Sequence, residues 1–426
     1  MNKSQARRIP IEQLAVGHVV HLEMGWMDHP FPLNVFRISS QQQLVTLRSL
    51  GRGEFLVENP DDPLVVMVAT TTPGDADPPA PDEVAPVDAA ALRREMLKAQ
   101  RDSLLACERQ FADATREFRA CMELLLRDPA ATRVRCTALV AQFVDQLLAQ
   151  EESSIRLLSE TAGDRSALHG VNVTVMALLL GKAMGMSRED LLDLGLGAML
   201  HDMGKLDIPD RVRWRSDQFT TAELSAYQEH VALGVSLGRK MELPAQVLLL
   251  IGQHHELADG SGFPLRLNAE RMTRLARVLA LVNRYDNLCN PPNPSVALTP
   301  HEALSLIFAQ LKHKFEAQAL SAFIKMMGVY PPGSVVQLTD DRYAMVVSVN
   351  SSRPLKPRVV VHDPSIPRDH ALVTDLEVMP QLGIRRSLKP MLLPKVTLDY
   401  LSPRQRVCYF FERAVDGGVL HEASPP

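Results

Sequence analysis

Five histidines near the middle of the chain lie close to other residues that could bind a metal ion: His169, His201, His230, His254 and His255. A carboxylate follows two of them, as Asp202 after His201 and as Glu256 after His255. Imidazole together with carboxylate is a donor set typical of Fe, Mn, Zn or Ni sites. No cysteine stands at a spacing that would form a zinc finger. The residue types therefore indicate a histidine-rich metal centre.

Two of these polar clusters follow apolar stretches that predict buried helices. Residues 191–200 precede His201, and residues 247–251 precede His254. A buried His and Asp at a helix end cost free energy unless polar groups satisfy them. A single His on a helix is more often a hydrogen-bonded polar residue than a ligand, and two unrelated polar clusters are the alternative. One shared metal site explains both clusters with a single cause.

The bulk composition is that of an ordinary globular protein, with 46% apolar and 23% charged residues. Its 426 residues predict two or three domains. The formal charge of −4 gives no electrostatic reason to expect DNA, RNA or a membrane as the main partner. The five cysteines form no C-x-x-C pair, the start shows no signal peptide, and the apolar runs are too short to span a bilayer. We therefore expect a cytoplasmic protein.

Changes in composition divide the chain into five segments and predict a mainly α fold. Residues 1–70 contain short apolar runs broken by Gly, Pro and Asp, which indicate a small β-containing domain. Residues 71–90 are rich in Pro, Asp and Ala and predict an extended linker. Residues 91–161 predict connecting helices, and residues 162–328 an all-α domain. Residues 329–426 predict a small β appendage and a tail.

One long helix over residues 91–127 is predicted by an apolar residue at every seventh position: Leu97, Leu104, Phe111, Phe118 and Leu125. Such a seam packs either against another helix of the same chain or against a second copy in a homodimer. The sequence leaves both alternatives open.

The motifs around the histidines resemble those of HD-GYP domains. Residues 201–209 read HDMGKLDIP and are similar to the HD-G-K-x-x-I-P segment of that family. Residues 254–256 and 259–264 read HHE and DGSGFP, similar to its second signature, with Phe263 in place of Tyr. Residues 14–17 and 26–31 resemble the domain of unknown function that often precedes HD-GYP domains.

The resemblance implies an all-α HD-type domain that hydrolyses cyclic di-GMP to linear pGpG or GMP. It also implies two divalent ions, Fe or Mn, with one held by His169, His201 and Asp202. By the same resemblance the second ion is held by His230, His254 and His255, with Asp202 bridging. Two such ions generate a hydroxide at neutral pH and hold the attacking and leaving oxygens of the phosphodiester.

Further roles follow from the same resemblance. Asp202 and Lys205 are the expected catalytic residues, since Lys205 could neutralise charge on the phosphoryl oxygens. A solvated lysine at a helix end is the alternative for Lys205. The expected substrate-binding residues are Lys205, Asp259, Gly260, Gly262, Phe263, Pro264 and Arg284. A plain Gly-rich turn is the alternative for the loop.

Three positions depart from the family pattern. Asn283 stands where the family has a metal-binding Asp, so its amide oxygen would be a weaker ligand, and Asp286 matches a second family Asp that could compensate. Residues 290–295 read NPPNPS in place of a phosphate-contacting Arg-Pro-Tyr-Arg run, which leaves Arg284 as the nearest replacement. Arg165 stands where some members have an acidic ligand for a third metal, so we expect two metals.

Three functions are compatible with these residues. The first is an active cyclic di-GMP phosphodiesterase. The second is a non-catalytic module that senses the nucleotide or recruits a diguanylate cyclase, which Asn283 and the missing arginines would favour. The third is an HD-superfamily phosphohydrolase for another nucleotide, against which the DGSGFP loop argues.

Overall fold

The structure, a computed structural model, describes residues 7–23, 35–38, 41–50, 52–58, 89–150, 152–159, 165–216, 218–350, 354–379 and 381–413. The chain divides into two compact units, Met1–Arg93 and Arg94–Pro426. Most of the described secondary structure is helical, and strands lie in the first unit and around the helices of the second. The predicted fold class is therefore confirmed.

The first unit is a small antiparallel sheet with one helix. Its strands run in the order β1-β4-β2-β3, and the helix α1 is Gln41–Ser49. The strands are β1 Arg7–Pro10, β2 Val19–His21, β3 Val35–Arg37 and β4 Glu54–Val57. The core is formed by apolar side chains of the strands and of the helix, among them Ile9, Val20, Leu47 and Phe55. Residues 26–31 and 71–88 lie outside the described residues, while Ala89 and Ala90, predicted to end the linker, already belong to a helix.

Ten α-helices belong to the second unit within the part of the chain that the structure describes, and nine of them precede the C-terminal strands. These nine are α2 Ala89–Leu124 (which begins in the first unit), α3 Pro129–Leu148, α4 Arg165–Ala183, α5 Arg188–Leu200, α6 Thr221–Lys240, α7 Ala245–Gln253, α8 Arg274–Cys289, α9 Pro300–Gln310 and α10 Ala317–Met327. The central helix α4 packs against α5, α8 and α10, and α5 packs against α3 and α7. This arrangement brings the ends of α5 and α7 close to α4 and α6.

The apolar seam of α2 is buried within its own chain over its C-terminal half. Phe111, Phe118 and Leu125 are almost completely buried, and the Phe118 ring lies directly against Gly170 of α4. Arg135 of α3 donates to both carboxylate oxygens of Glu117, at 2.7 and 2.8 Å. These contacts support the intrachain alternative for this half, and a homodimer through the helix stays a prediction.

The strands of the second unit form one antiparallel sheet that draws on distant parts of the chain. Its main path runs in the order β10-β6-β7-β5-β11, and β8 pairs with β7 and β9. The strands are β5 Ser153–Leu157, β6 Val335–Leu338, β7 Tyr343–Asn350, β8 Arg358–Val361, β9 Val373–Asp375, β10 Ile384–Leu388 and β11 Tyr409–Arg413.

One expectation for this region needs correction. Residues 91–161 are predicted to be connecting helices, but β5 is a strand that pairs with β7 and β11. Residues 329–426 are predicted to be a small β appendage and tail, and they do contain the strands β6 to β11, of which β11 also packs against α4. The C-terminal strands are therefore part of the support of the helical domain. A short helix, α11 Lys395–Leu401, precedes β11.

Helix ends within the unit follow the local sequence. The Thr220 and Thr299 hydroxyls cap α6 and α9 as capping boxes with Glu223 and Glu302. Among the described residues, no helix combines the length and the apolar character that crossing a bilayer requires.

Candidate metal centre

The predicted histidines lie at helix positions that converge on one point. His169 is on α4 and His230 on α6, while His201 and His254 are the residues at which α5 and α7 end. His255 follows directly. The apolar runs of α5 and α7 are buried in the core. The residues that follow these runs therefore lie at the centre of the domain.

Three imidazoles are fixed by their own helices. Nδ1 of His201 lies 2.7 Å from the carbonyl oxygen of Ala198, and Nδ1 of His254 lies 2.7 Å from that of Ile251. Nδ1 of His230 contacts the carbonyl oxygen of Tyr227 in the same way. A carbonyl can only accept, so Nδ1 carries the proton and Nε2 carries the lone pair. Each ring is thus held as a metal ligand would be.

Asp202 lies between two pairs of these rings. Its Oδ2 atom is 3.6 Å from Nε2 of both His169 and His201. Its Oδ1 atom is 3.5 Å from Nε2 of His230 and 3.7 Å from Nε2 of His254. Two donor sets result that share Asp202, and within each set the donor atoms lie within 4.8 Å of one another: His169, His201 and Asp202, and Asp202, His230, His254 and His255.

The donor atoms fit a divalent metal ion. Nε2 of His169 is 3.1 Å from Nε2 of His201, and Nε2 of His230 is 3.2 Å from Nε2 of His254. For His230 and His254, whose Nδ1 atoms carry the protons, these are lone pairs that face each other. Oδ1 of Asp202 is buried and has no hydrogen-bond partner within the described part of the chain. A buried anion and opposed lone pairs are stabilised by a cation between them.

Burial also sets the charge state of the cluster. It lowers the pKa of His201 to about 4, against the opposing effect of Asp202, and it lowers the pKa values of His254 and His255 well below 6.5. Burial raises the pKa of Asp202, but Lys205 and the histidines outweigh it, so the net pKa is well below the usual value. At neutral pH the rings of His201, His254 and His255 are therefore neutral and the Asp202 carboxylate is ionised, the protonation states that metal binding requires.

Lys205 is held directly beside the shared carboxylate. Its Nζ atom donates to Oδ2 of Asp202 at 2.6 Å and lies 5.4 Å from the ring centre of Trp214 and 5.5 Å from that of Tyr227. Burial alone lowers the pKa of Lys205, but the charge of Asp202 outweighs it and the net pKa is raised. The side chain is therefore a fixed cation at the centre.

Comparison with known families finds a match for the helical domain. A family model described as "HD domain" matches residues 128–319. That region contains all six residues of the two donor sets. A second model, "Domain of unknown function (DUF3391)", matches residues 6–134, which confirms the domain expected ahead of it. The HD-domain match and the His/Asp cluster, together with the phosphodiesterases that are similar to this chain, support a metal-dependent phosphodiesterase.

Three known proteins are similar to this chain. Cyclic di-GMP phosphodiesterase PA4108 of Pseudomonas aeruginosa is 27% identical over 371 residues, which cover 83% of this chain and 84% of that protein. The 3'3'-cGAMP-specific phosphodiesterase 3 of Vibrio cholerae is 25% identical over 166 residues, 39% of this chain and 36% of that protein. A solved structure, Bd1817, a HDG"Y"P protein from Bdellovibrio bacteriovorus, aligns with 75% of this chain and 98% of its own, at 15% identity and a TM-score of 0.40.

A buried carboxylate outside the two donor sets, Asp286, holds the His169 ring in place. Oδ2 of Asp286 lies 2.6 Å from Nδ1 of His169, and Asp286 is 1% exposed. Oδ1 of Asp286 accepts from the amides of Asn172 and Asn290. Such a partner orients a ligand histidine and raises its basicity. Asp286 thus lies behind His169 and supports it, a role that the sequence analysis did not assign.

The loop at residues 259–267 is tied to the second donor set. The Phe263 ring stacks on His255 with ring centres 4.4 Å apart, and the Phe263-Pro264 peptide is cis. The buried carboxylate of Glu256 accepts from the main-chain N–H groups of Leu265 and Leu267, at 2.6 and 2.8 Å. Glu256 is a positioning residue that the sequence analysis quoted only as part of a motif.

The remaining predicted loop residues fix the conformation of the loop itself. Gly260 has φ of +76°, in the region that favours glycine. A Cβ atom at Gly262 would lie 2.5 Å from the carbonyl oxygen of His255, so the loop backbone packs closely under the ligand. Asp259 accepts from the N–H and hydroxyl of Ser261, at 3.0 and 2.7 Å.

Two other predicted positions, Asn283 and Arg284, belong to neither donor set. Asn283 is buried on α8, and its carboxamide oxygen accepts from Nδ2 of Asn287 at 2.7 Å. Arg284 is exposed on the same helix. The side chain of Arg165 lies outside the described residues. The roles predicted for Asn283 and Arg284 therefore stay predictions.

Proposed function

We propose that this chain hydrolyses cyclic di-GMP to linear pGpG and/or GMP with two divalent metal ions, Fe or Mn by the chemistry of the donors. The observation that carries the proposal is the position of Asp202, whose two carboxylate oxygens each face a separate pair of imidazole Nε2 atoms. A shared carboxylate between two donor sets is the arrangement that a two-metal phosphodiester hydrolase needs.

In this proposal one ion is held by His169, His201 and Asp202, and the other by Asp202, His230, His254 and His255. Bound divalent ions lower the pKa of water and offset negative charge on the phosphoryl oxygens of a phosphodiester. The protein residues supply a pre-oriented set of donors, because the Nδ1 hydrogen bonds of His201, His230 and His254 orient these rings and burial keeps them neutral.

Lys205 and Asp202 are the catalytic side chains in the proposal. The Lys205 ammonium lies 2.6 Å from Oδ2 of Asp202, and its side chain lines a cavity beside the cluster that could admit a phosphate. A fixed ammonium there stabilises the charge that develops on the phosphoryl oxygens during attack. The aromatic rings of Trp214 and Tyr227 limit where the ammonium can move.

The substrate opening is assigned to Asp259, Gly260, Gly262, Phe263 and Pro264. The stacking of Phe263 on His255 places an aromatic edge beside the donors, and aromatic groups bind nucleobases by stacking. PA4108 is named for cyclic di-GMP, and the similar Vibrio protein for 3'3'-cGAMP. The longer match to PA4108 supports cyclic di-GMP as the substrate.

The test is purification without oxygen, metal analysis, and turnover of cyclic di-GMP and 3'3'-cGAMP in parallel with Mn²⁺ or Fe²⁺ supplied. We expect about two metal ions per chain, a preference for cyclic di-GMP, and pGpG or GMP on chromatography. His201→Ala and Asp202→Ala should each lose metal and at least about 100-fold in turnover, since loss of an outer partner alone costs 10–100-fold.

Asp207→Asn is the matched control, because Asp207 is an exposed carboxylate five residues from Asp202. It should keep both metal and turnover. Tight nucleotide binding without turnover by the metal-loaded wild type would reject hydrolysis and favour a sensor. Turnover retained by Asp202→Ala would reject the bridging role. Association with a diguanylate cyclase stays a prediction.

A further inference from the structure

A cavity lies beside the His169 end of the metal centre. His169, Lys205 and Trp214 contribute to its lining, and so do Asn290, Pro291 and Arg406. Arg406 comes from the segment just before β11, more than 200 residues along the chain from Lys205. The cavity is therefore lined by Lys205, by the proposed metal ligand His169 and by the segment that precedes β11.

The backbone next to Arg406 is clamped by two asparagines. The N–H of Val407 donates to Oδ1 of Asn290 at 2.8 Å, and its carbonyl accepts from Nδ2 of Asn290 at 2.9 Å and from Nδ2 of Asn172 at 3.2 Å. The N–H of Tyr409 donates to Oδ1 of Asn172 at 2.8 Å. Since these side chains bind the main chain on both sides of Cys408, the position of the segment at the cavity is defined.

The same asparagines connect this segment to a proposed metal ligand. Both donate to Oδ1 of Asp286, and Oδ2 of Asp286 accepts from His169. A continuous run of buried hydrogen bonds thus joins the Val407 backbone to the His169 ring. Such a network holds the cavity wall at a fixed place relative to the donor atoms.

The two cationic side chains that line the cavity differ in their partners. Lys205 and Arg406 are the lysine and arginine side chains of the lining. Lys205 is already paired with Asp202. Arg406 is half-buried, and within the described part of the chain its guanidinium has no carboxylate or other hydrogen-bond partner. A guanidinium of this kind is suited to a phosphate, which it can bind through two parallel hydrogen bonds.

We propose that Arg406 is a substrate-binding residue that contacts the phosphate of the cyclic dinucleotide that is not being cleaved. The inference rests on the proposed function, in which the metal donors and Lys205 receive the phosphate that is cleaved. A cyclic dinucleotide carries two phosphodiesters, so its second phosphate needs a cation elsewhere in the cavity. Arg406 is the cation available there.

The kinetic test compares Arg406→Ala and Arg406→Lys with the wild type on two substrates. For cyclic di-GMP, Arg406→Ala should raise KM by about tenfold with kcat little changed, the loss typical of one charge-assisted hydrogen bond. Arg406→Lys should restore part of this loss. The KM for bis(4-nitrophenyl) phosphate, which has a single phosphodiester, should not change. A change in stability alone would affect both substrates equally.

Two further variants make the comparison specific. Arg368→Ala removes an exposed arginine of the same unit that does not line the cavity, and it should leave both KM values unchanged. Arg284→Ala tests the competing arginine, which is also outside the lining. If Arg284→Ala raises KM for cyclic di-GMP and Arg406→Ala does not, the proposal is wrong.

A binding measurement separates this proposal from the proposed function. Calorimetry with a phosphorothioate analogue of cyclic di-GMP, which resists hydrolysis, gives a Kd without turnover. If wild type binds the analogue but hydrolyses no cyclic dinucleotide, the proposed hydrolysis fails, and weaker binding by Arg406→Ala still supports the role of Arg406. Equal Kd values for wild type and Arg406→Ala, or no binding by either, would overturn the inference.

Discussion

Nδ1 of His169 lies 2.6 Å from Oδ2 of Asp286, a carboxylate 117 positions further along the chain. Asp286 also accepts from Asn172 and Asn290, which bind the main chain of the C-terminal segment. One carboxylate therefore fixes both the His169 ring and the side chains that hold this segment. The carboxylate can therefore affect metal binding without touching the ion. The first prediction follows from this relationship.

Asp286→Asn should lower metal affinity by about 10–100-fold, the usual effect of losing an outer partner of a ligand histidine. An Asn side chain cannot accept on both sides, so either His169 or the two asparagines would lose an acceptor. Metal affinity is measured by competition with a chelator of known affinity. Unchanged affinity would show that His169 is oriented by other contacts, and Asp207→Asn again serves as control.

Gly204 sets the distance between α6 and the short helix Met203–Asp207 that follows Asp202. A Cβ atom there would overlap the carbonyl carbon and oxygen of His230 and the main-chain nitrogen of Gly234. We expect Gly204→Ala to lower the free energy of unfolding by roughly 3 kcal/mol, because backbone cannot move aside as a side chain can. It should also lower metal affinity, since His230 would shift away from Asp202.

Gly252→Ala is the matched control for Gly204→Ala. A Cβ at Gly252 meets only Cγ2 of Val235 at 3.5 Å, an ordinary contact, and the position is inside α7. Alanine there should be neutral or stabilise by up to about 1 kcal/mol. Chemical denaturation of both variants checks the pair, and equal losses for the two would contradict the packing argument.

Asn283→Asp tests whether position 283 binds metal. The resemblance to HD-GYP domains predicts a metal-binding Asp at this position. Asn283 is only 3% exposed, so a carboxylate there is costly without a cation and favourable with one. We expect the metal-free variant to be less stable than wild type and the metal-induced rise in Tm to be larger. A metal content that is unchanged or reduced would show that Asn283 is not at a ligand position.

The stability of the protein in acid should depend partly on His301, which is remote in sequence from the proposed ligands. Burial lowers the pKa of His301 below 6.5, against smaller raising effects of its hydrogen bond to the Val329 carbonyl and of Glu302. Since the unfolded chain then binds the proton more readily, the stability that this group contributes is full above pH 6.5. It is lost as the pH falls towards the lowered value.

His301→Asn keeps a donor for Val329 but cannot titrate. The free energy of unfolding should therefore fall less between pH 7 and pH 5 in this variant than in wild type. Urea denaturation at the two pH values measures the difference, and the metal-centre histidines contribute equally to both proteins. An identical fall in both would contradict a lowered pKa for His301.

Much of the site could be predicted from sequence because its parts are local. The donors stand directly after apolar runs, so the ends of α5 and α7 and the residues His201 and His254 were predictable together. The hydroxyl caps at Thr220 and Thr299 were predictable for the same reason, since a capping box spans four residues.

The sequence by itself thus determined the donor types, the helices that carry them and the class of chemistry. Tertiary structure decided which distant groups support them. Asp286 contacts His169 across 117 positions, and Val407 contacts Asn172 across 235 positions. Local sequence patterns carry no signal over such separations. The strand β5 has the polar sequence SSIRL and is buried because Arg156 pairs with Glu412 of β11 at 3.3 Å. Burial of that charge is possible only when its distant partner is in place, so the fold and not the local sequence makes this segment a strand.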